Sequence, residues 1–521
     1  MNIKCLIDRI KNKEKEESSI NLKDFINFCK SHTLLIFLTI LILFLAHGSS
    51  LFNNNIGIDT QLFLEDPTSD YNWLGIGRYG LLIEKVLLGL SSYSPYYAGA
   101  IFFIFLSLSN ILIYYSLYKI SNKDLDLLYL CIPLLAFTHP IFVEQFVFML
   151  QYAEITFAIA LTALATLFIF TWIKDKSSIY CLLGIICLVI SFATYQSFVP
   201  LYICFCIFGF ICMFYSIDES KKVIKIIVKL IISFIISLGI YELSVKLLPS
   251  YVSHIDEGFF WGKYPLRSIY EFIKGNIKEV ILGRGIFYNK GYLICAILFF
   301  ITAIINTENI NKSFNKILYI VSVLAFIATP FYMTIAMGHA PTIRAQFILP
   351  FTEAFMMIYI GEFLFKHNYL KYIVIILTII IFETQLQTTL KLYYTENMRN
   401  DSDIQYVYEI AKDMNELGIT EGAGVVFIGK KEPRLNNVSQ TGEIIGVSLF
   451  TMNYNVPPYY SQSSSLILRL FRVLGMKYYD CSPEQVDEAR EYSKDMPIWP
   501  MEGSIVVHNG YVIVKLSESE F

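Results

Sequence analysis

"TLLIFLTILILFLAHGSSLF", residues 33–52, is followed directly by "NNNIGIDTQLFLEDPTSDYNWLGIGRYG", residues 53–80. The first stretch contains no Asp, Glu, Lys or Arg and has the length of a helix that crosses a bilayer. The second stretch gathers four acids, a tryptophan and an arginine into one connection. An apolar run joined to so polar a connection predicts a membrane protein with a polar region beside its first span.

The composition of the whole chain agrees with that first run. Of 521 residues, 55% are hydrophobic and 16% are charged, and the mean hydropathy is +0.53. These values lie far outside the range of soluble domains. The net charge of -3 and the absence of basic runs longer than a pair exclude nucleic acid as an expected partner. We therefore predict an all-α polytopic membrane protein whose main partner is the lipid bilayer.

Apolar runs of about 20 residues predict eleven transmembrane helices. Some runs are short, and the turn near Tyr195 could instead be a kink in one long helix, so the number is open by one or two. The predicted spans are 33–52, 96–118, 124–138, 153–173, 179–194, 197–216, 226–248, 291–306, 317–337, 345–365 and 372–391.

The distribution of lysine and arginine predicts the orientation. Basic residues are concentrated in the N-terminal segment 1–32 and in every second connection after it, whereas the connection 53–95 contains only Arg78 and Lys85. Cytoplasmic connections carry the excess of basic residues in membrane proteins. We therefore expect the segment 1–32 inside the cell, and the first outer loop 53–95 and the large outer loop 249–290 outside.

Residues 392–521 are more polar than the multispanning domain 33–391 and predict a small soluble α/β domain. Ser402 and Gln405 have the spacing of a capping box that would start an amphipathic helix. "SIVVHNGYVIVKL" predicts two strands around an Asn509-Gly510 turn, and "GVVFIGK" predicts a further strand. Helices are expected near 464–475 and 483–492. An odd number of spans places this domain outside the cytoplasm.

No cofactor is expected from the sequence. The ten cysteines fall mostly in apolar runs, without metal-ligand spacing. The chain also lacks the glycine-rich fingerprints of nucleotide sites. A divalent metal stays open as an alternative, but no residue pattern supports it.

The unusual polar residues accumulate in the predicted outer connections. For Glu65, Asp66 and Asp70, loop solvation or helix capping is favoured over a functional role. Arg78 precedes an apolar stretch typical of an interfacial helix, where a guanidinium suits either a lipid phosphate or a substrate phosphate. The outer-face residues that we retain as candidates are Asp59, Asp66, Trp73, Arg78, Glu144, Tyr195, Gln196 and Arg344.

Four motifs carry a resemblance to a known family. They are "GIDTQ" at 57–61, "NWLGIGRYGLLIEKVLLGL" at 72–90, "HPIFVEQFVFMLQYAE" at 139–154 and "SFATYQSFVPLY" at 191–202. In this order, over residues 30–390, the chain resembles the membrane glucosyltransferases that include the serotype-converting O-antigen glucosyltransferases. That family is similar in architecture to the GT-C glycosyltransferases.

The resemblance implies a function and a site. It implies transfer of a hexose, with glucose as the expected sugar, from a polyprenyl-phosphate sugar to a cell-surface glycan. The transfer is expected at the outer face of the bacterial cytoplasmic (inner) membrane. It further implies Asp59 as the catalytic carboxylate, with Trp73 and Arg78 shaping the site, and it draws attention to Tyr195 and Gln196. Related loops often show paired acids, whereas Thr60 and Gln61 follow Asp59 here, which leaves open whether Glu65 or Asp66 supplies a second acid.

The expected reaction uses a carboxylate base and a cation. Asp59 would accept a proton from the acceptor hydroxyl, while Arg78 or Arg344 would stabilise charge on the departing phosphate. Direct displacement of this kind inverts the anomeric centre. Two other classes stay open: a polysaccharide polymerase or ligase, and a flippase or transporter of lipid-linked sugars, for which charges near the membrane midplane would be expected.

Overall fold

The structure, a computed structural model, describes residues 20–217, 219–248, 258–366, 370–452 and 462–518. Residues 1–19 of the predicted N-terminal segment and residues 249–257 of the predicted large outer loop lie outside the described residues. The described chain is mostly helical and has one small sheet near its C-terminus. The predicted fold class is confirmed at that level.

The chain divides into two compact units. The first comprises the residues up to Asn53, Tyr71–Gln145 and Gln151–Thr389. The second comprises Asn54–Asp70, Phe146–Leu150 and the chain from Leu390 onward. Part of the predicted first outer loop therefore belongs to the same unit as the C-terminal region.

Among the described residues, six helices are long and apolar enough to cross a membrane, or up to seven if a pair bent by 52° counts as one span. The prediction of eleven spans is not confirmed by this criterion. The six helices are Thr33–Leu51, Pro95–Ser121, Tyr152–Asp175, Ser220–Lys246, Gly291–Asn309 and Lys371–Glu416, and the bent pair is Ser313–Ile327 with Thr329–Met337.

The other four predicted spans correspond to helices of at most 17 residues. These are Leu127–Phe137, Ser178–Thr194, Phe198–Met213 and Ile348–Leu364. Residues Ile348–Gly361 are buried without interruption. A helix enclosed by protein does not have to match the lipid thickness by itself, because neighbouring helices satisfy its ends. For Ile348–Leu364 the predicted run 345–365 is therefore longer than the helix that forms.

One helix forms the centre of the first unit. Tyr152–Asp175 contacts both Pro95–Ser121 and Ser178–Thr194, and 78% of its most apolar 18-residue stretch is buried. In Ser220–Lys246 only 22% of the corresponding stretch is buried, and many of its isoleucines are exposed, as expected of a lipid-facing helix. Further helices of this unit are Leu22–Ser31, Asn72–Gly75, Tyr79–Leu88 and Leu266–Leu282, together with Ile141–Phe146 up to Gln145.

The second unit contains a four-stranded sheet. Its strands are Gly424–Ile428 (β1), Tyr479–Asp480 (β2), Ile505–His508 (β3) and Tyr511–Lys515 (β4), in the order β2-β1-β4-β3. β1 runs parallel to both neighbours, and β3 pairs antiparallel with β4. Asn509 and Gly510 both have positive φ in the turn between β3 and β4, which confirms the predicted hairpin.

The helices of the second unit agree with the sequence except at one start. Gln462–Val473 and Pro483–Tyr492 occupy the predicted positions. The predicted capping box at Ser402 is wrong, because Lys371–Glu416 is one uninterrupted helix. Ser402 is buried within it, and its Oγ accepts a hydrogen bond from the Arg434 main-chain N–H at 2.8 Å. The Ser402 hydroxyl thus accepts its hydrogen bond from a packed loop residue instead of from the first turn of a new helix.

A short helix from the first predicted loop packs into this unit. Ile58–Glu65 contacts the helix Gln462–Val473, and Ile56 and Ile58 pack against a core that includes Phe427 and Phe471. Burial of these apolar side chains fixes the residues on either side of Gly57 against the core. This packing determines where Asp59 lies.

Candidate functional site

Asp59 lies in the first turn of the helix Ile58–Glu65 and borders a small cavity of the second unit. A carboxylate at this position is favoured by the partial positive charge of the helix N-terminus. Two further charged residues, Glu396 and Arg399, border the same cavity. The other described residues that line it are Gly57, Ile58, Thr60, Val147, Phe148, Ile444, Val447, Leu449 and Met452.

The charges beside the cavity favour hydroxyl groups over phosphate. Arg399 is ion-paired with Glu396 and, at 3.2 Å, with Asp403. Two carboxylates therefore surround one guanidinium, and of these only Glu396 lines the cavity, where Asp59 is the second acid. Carboxylates accept hydrogen bonds from hydroxyl donors, whereas they repel phosphate. The cavity is thus suited chemically to a sugar hydroxyl.

Neither of the two acids that follow Asp59 lines this cavity in the described structure. Glu65 accepts hydrogen bonds from Arg469 at 2.7 Å and Arg472 at 2.5 Å. Partial burial opposes ionisation, but the two guanidinium groups outweigh it and lower the pKa of Glu65. Asp66 is exposed and accepts hydrogen bonds from the Thr68 main chain and hydroxyl, which lower its pKa. Both acids are engaged in contacts that stabilise the local fold.

The first unit brings together three of the predicted residues. The Arg78 guanidinium lies 4.5 Å from the centroid of the Tyr195 ring, and its Nε donates a 3.4 Å hydrogen bond to Gln196 Oε1. Gln196 Nε2 in turn donates to the Ile76 carbonyl and to the Tyr241 hydroxyl, both at 3.1 Å. A guanidinium held by a ring and an amide is oriented to bind an anion.

Trp73 belongs to a neighbouring buried group of charges in the first unit. The Lys85 ammonium lies 5.2 Å from the Trp73 ring centroid and 3.1 Å from Glu154 Oε1. Glu84, on the same helix as Lys85, accepts a hydrogen bond from the Thr194 hydroxyl at 2.8 Å. Buried charges are costly unless they are paired. This group anchors the helix Tyr79–Leu88 next to Arg78.

The remaining predicted residues lie elsewhere along the chain. Glu144 is fully buried in the helix Ile141–Phe146. Arg344 is partly exposed in the 3₁₀ turn Ile343–Ala345. By unit, Asp59 and Asp66 belong to the second, whereas Trp73, Arg78, Glu144, Tyr195, Gln196 and Arg344 belong to the first.

The sequence reasoning missed Glu396 and Arg399. Their segment "TENMRNDSD", residues 395–403, begins shortly after the last predicted span, 372–391. Acids three residues before and four residues after an arginine lie on the same helix face, so this spacing could have indicated a charged cluster. The interpretation of Ser402 as a helix start obscured it, because it broke the helix between Arg399 and Asp403.

The first unit also contains a larger cavity, of about 740 Å³. Its polar wall includes the ion pair of Lys123 with Glu362, and the Tyr359 hydroxyl, which accepts a 2.7 Å hydrogen bond from Asn306. None of the sequence-predicted site residues is among its described lining residues. It is therefore separate from the Arg78 cluster.

Comparison with known families supports the resemblance in the motifs. A model of the family described as Glucosyl transferase GtrII matches residues 48–391, well over half of the chain. The matched range contains all eight predicted site residues, whereas Glu396 and Arg399 follow its end. No match was found among curated proteins or among solved structures.

Proposed function

The chain belongs to the GtrII glucosyl transferase family. We propose that it transfers a hexose, with glucose as the expected sugar, from a polyprenyl-phosphate sugar to a cell-surface glycan. The proposed site faces outward from the bacterial cytoplasmic membrane. In this arrangement the N-terminus is inside and the C-terminal region is outside, which the asymmetry of basic residues supports. Eleven crossings, with the four short helices counted as crossings, give the same orientation.

The observation that carries this proposal is the position of Asp59. It borders a cavity whose other charged residues, Glu396 and Arg399, favour a sugar hydroxyl over a phosphate. We assign Asp59 as the general base. It accepts the proton of the acceptor hydroxyl as that oxygen forms a bond to the anomeric carbon of the donor.

The departing group requires positive charge. The bond between the anomeric carbon and the phosphate oxygen breaks, and its electron pair remains on the polyprenyl phosphate. Arg78 is the proposed counter-charge, because its guanidinium is already oriented by Tyr195 and Gln196, and Arg344 is the alternative. A single displacement inverts the anomeric centre. Because the sugar already carries a phosphate leaving group, the proposed reaction needs no nucleotide to activate it.

The test is transfer by purified protein in vesicles that contain a synthetic polyprenyl-phosphate glucose, with a candidate glycan outside. Asp59→Asn removes the base while keeping the size of the side chain. General-base catalysis contributes about 10²- to 10⁴-fold, so we expect a fall in kcat of that order. Asp401→Asn makes the same charge change at an exposed position and should leave kcat unchanged.

Two outcomes would contradict the proposal. The first is a folded Asp59→Asn protein that transfers sugar at the wild-type rate, which would show that Asp59 is not the general base. The second is movement of the lipid-linked sugar across the vesicle without any new glycosidic bond, which would favour a flippase or transporter.

A further inference from the structure

The main chain just before Asp59 is held by one face of a helix. Asn400 Oδ1 accepts a 2.9 Å hydrogen bond from the Ile56 N–H, and Arg399 donates a 3.0 Å hydrogen bond to the Ile56 carbonyl. Asn397 Oδ1 also accepts a 2.7 Å hydrogen bond from the Asn55 side chain. Both main-chain polar groups of Ile56 are thus bonded to side chains of Lys371–Glu416, and Ile56 precedes Asp59 by three residues.

Arg399 is itself held rigidly. It is 2% exposed and is paired with Glu396 and Asp403 on its own helix. A guanidinium with a carboxylate on each side and a carbonyl as a third acceptor has little rotational freedom. The position of the Ile56 carbonyl is therefore tied to the position of the helix.

The carboxylates of Glu396 and Asp403 also bind the segment 444–449, which borders the cavity on another side. Glu396 Oε2 accepts a 3.1 Å hydrogen bond from the Gly446 main chain. Asp403 accepts hydrogen bonds from the Ser448 hydroxyl and, at 3.0 Å, from the Leu449 main chain. The network thus joins three segments that border the cavity or directly precede its lining: the chain before Asp59, the helix around Arg399, and residues 444–449.

We propose that Arg399 is a positioning residue, which, with Glu396 and Asp403, fixes the main chain of Ile56 and so aims Asp59 into the cavity. This inference rests on the proposed function, because it assigns Asp59 the task of a base. A base must lie within hydrogen-bond reach of the proton that it removes, and misplacement by about 1 Å can cost about 10²-fold in rate. Arg399 acts through Asp59 and does not take part in proton transfer.

Arg399→Lys tests the role of the guanidinium. Lysine keeps the charge but cannot bond two carboxylates and a carbonyl in one plane. We expect kcat per folded molecule to fall about tenfold or more, with KM for donor and acceptor within about threefold. Asn400→Ala removes the second anchor of Ile56, leaves the ion pairs intact, and should lower kcat about threefold or more.

Arg434→Lys is the matched control. Arg434 forms a two-point pair with Glu409 on the same helix, with both distances at 2.7 Å, but at the exposed surface. Its kcat and KM should stay within about twofold of wild type. Folded protein is quantified by size-exclusion chromatography and thermal unfolding, because a merely structural role would reduce the folded amount without changing kcat per folded molecule.

An unchanged kcat in folded Arg399→Lys overturns the inference, and if that variant does not fold, an unchanged kcat in Asn400→Ala does so. The failure of the proposed function is a different result. If Asp59→Asn is as active as wild type, the base itself is misassigned. If Asp59→Asn is inactive while the tested anchor variant retains full kcat, only the positioning role fails.

Discussion

The guanidinium of Arg78 lies over the ring of Tyr195, 4.5 Å from its centroid. The two residues come from different predicted outer connections, yet they form one cluster with Gln196 in the first unit. Cation–π stacking and the amide hydrogen bond orient the guanidinium before any ligand arrives. This relationship gives the first of four predictions.

Replacement of Arg78 by lysine should impair use of the donor. Lysine retains the positive charge but loses planar stacking on Tyr195 and two-point recognition of phosphate. We expect kcat/KM for the polyprenyl-phosphate sugar to fall about tenfold in Arg78→Lys and about 100-fold in Arg78→Ala, a loss of about 2.7 kcal/mol of transition-state stabilisation. Initial rates over a range of donor concentrations measure this. Equal values for Arg78→Lys and wild type would exclude Arg78 from phosphate recognition.

A methyl group on Gly80 should separate two helices. A Cβ at Gly80 would lie 2.5 Å from the Thr194 main-chain nitrogen and 2.6 Å from the Ala193 carbonyl carbon. These are backbone atoms that cannot rotate away, so we expect Gly80→Ala to destabilise the protein by about 1–3 kcal/mol. Gly275→Ala is the control, because nothing lies within 4 Å of its added Cβ. Thermal unfolding in detergent compares the two, and equal stability would refute the close approach.

Loss of one partner of the Lys85–Glu154 ion pair should destabilise the protein more than loss of both partners. The two side chains are 3% and 1% exposed. Lys85→Met leaves a buried carboxylate uncompensated, which costs about 3–5 kcal/mol. Lys85→Met combined with Glu154→Gln removes both charges and should recover part of that loss. The yield and unfolding temperature of folded protein decide this, and a double variant no more stable than Lys85→Met alone would count against the pairing.

Glu65 should give the second unit a pH-dependent stability. Arg472 and Arg469 outweigh the effect of partial burial and lower its pKa in the folded protein. Its contribution is therefore present above the unfolded glutamate pKa of about 4.3 and disappears as the pH falls through the lower folded value. We expect Glu65→Gln to cost about 1 kcal/mol at pH 7, because the pair is partly exposed to solvent.

Unfolding of Glu65→Gln and wild type should therefore differ at pH 7 and converge in acid. Glu502→Gln, at an exposed position, controls for the loss of one negative charge. A difference between Glu65→Gln and wild type that persists unchanged below the folded pKa of Glu65 would show that the ion pairs with arginine are not its source.

Local sequence was sufficient for several features of the fold. Each lipid-facing helix must be apolar by itself, so composition and run length predicted the membrane class and the six long helices. The Asn509-Gly510 turn was predictable for a similar reason, since a two-residue hairpin depends on the backbone preferences of its own residues. The cluster of Arg78, Tyr195 and Gln196 was anticipated only as a set of candidates, whose contacts required coordinates.

Other features depended on residues far apart in the chain. The number of long helices differs from eleven because buried helices such as Ile348–Leu364 are supported by their neighbours instead of by lipid. Ser402 lies inside a continuous helix, and its hydroxyl is bonded to the Arg434 main chain, a partner that the local sequence does not reveal. Above all, Arg399 and Ile56, which are 343 positions apart, are brought into contact by packing. Hydropathy is a property of each segment alone, whereas the partner of a buried charge is chosen by the tertiary structure, because only packing decides which groups lose their water together.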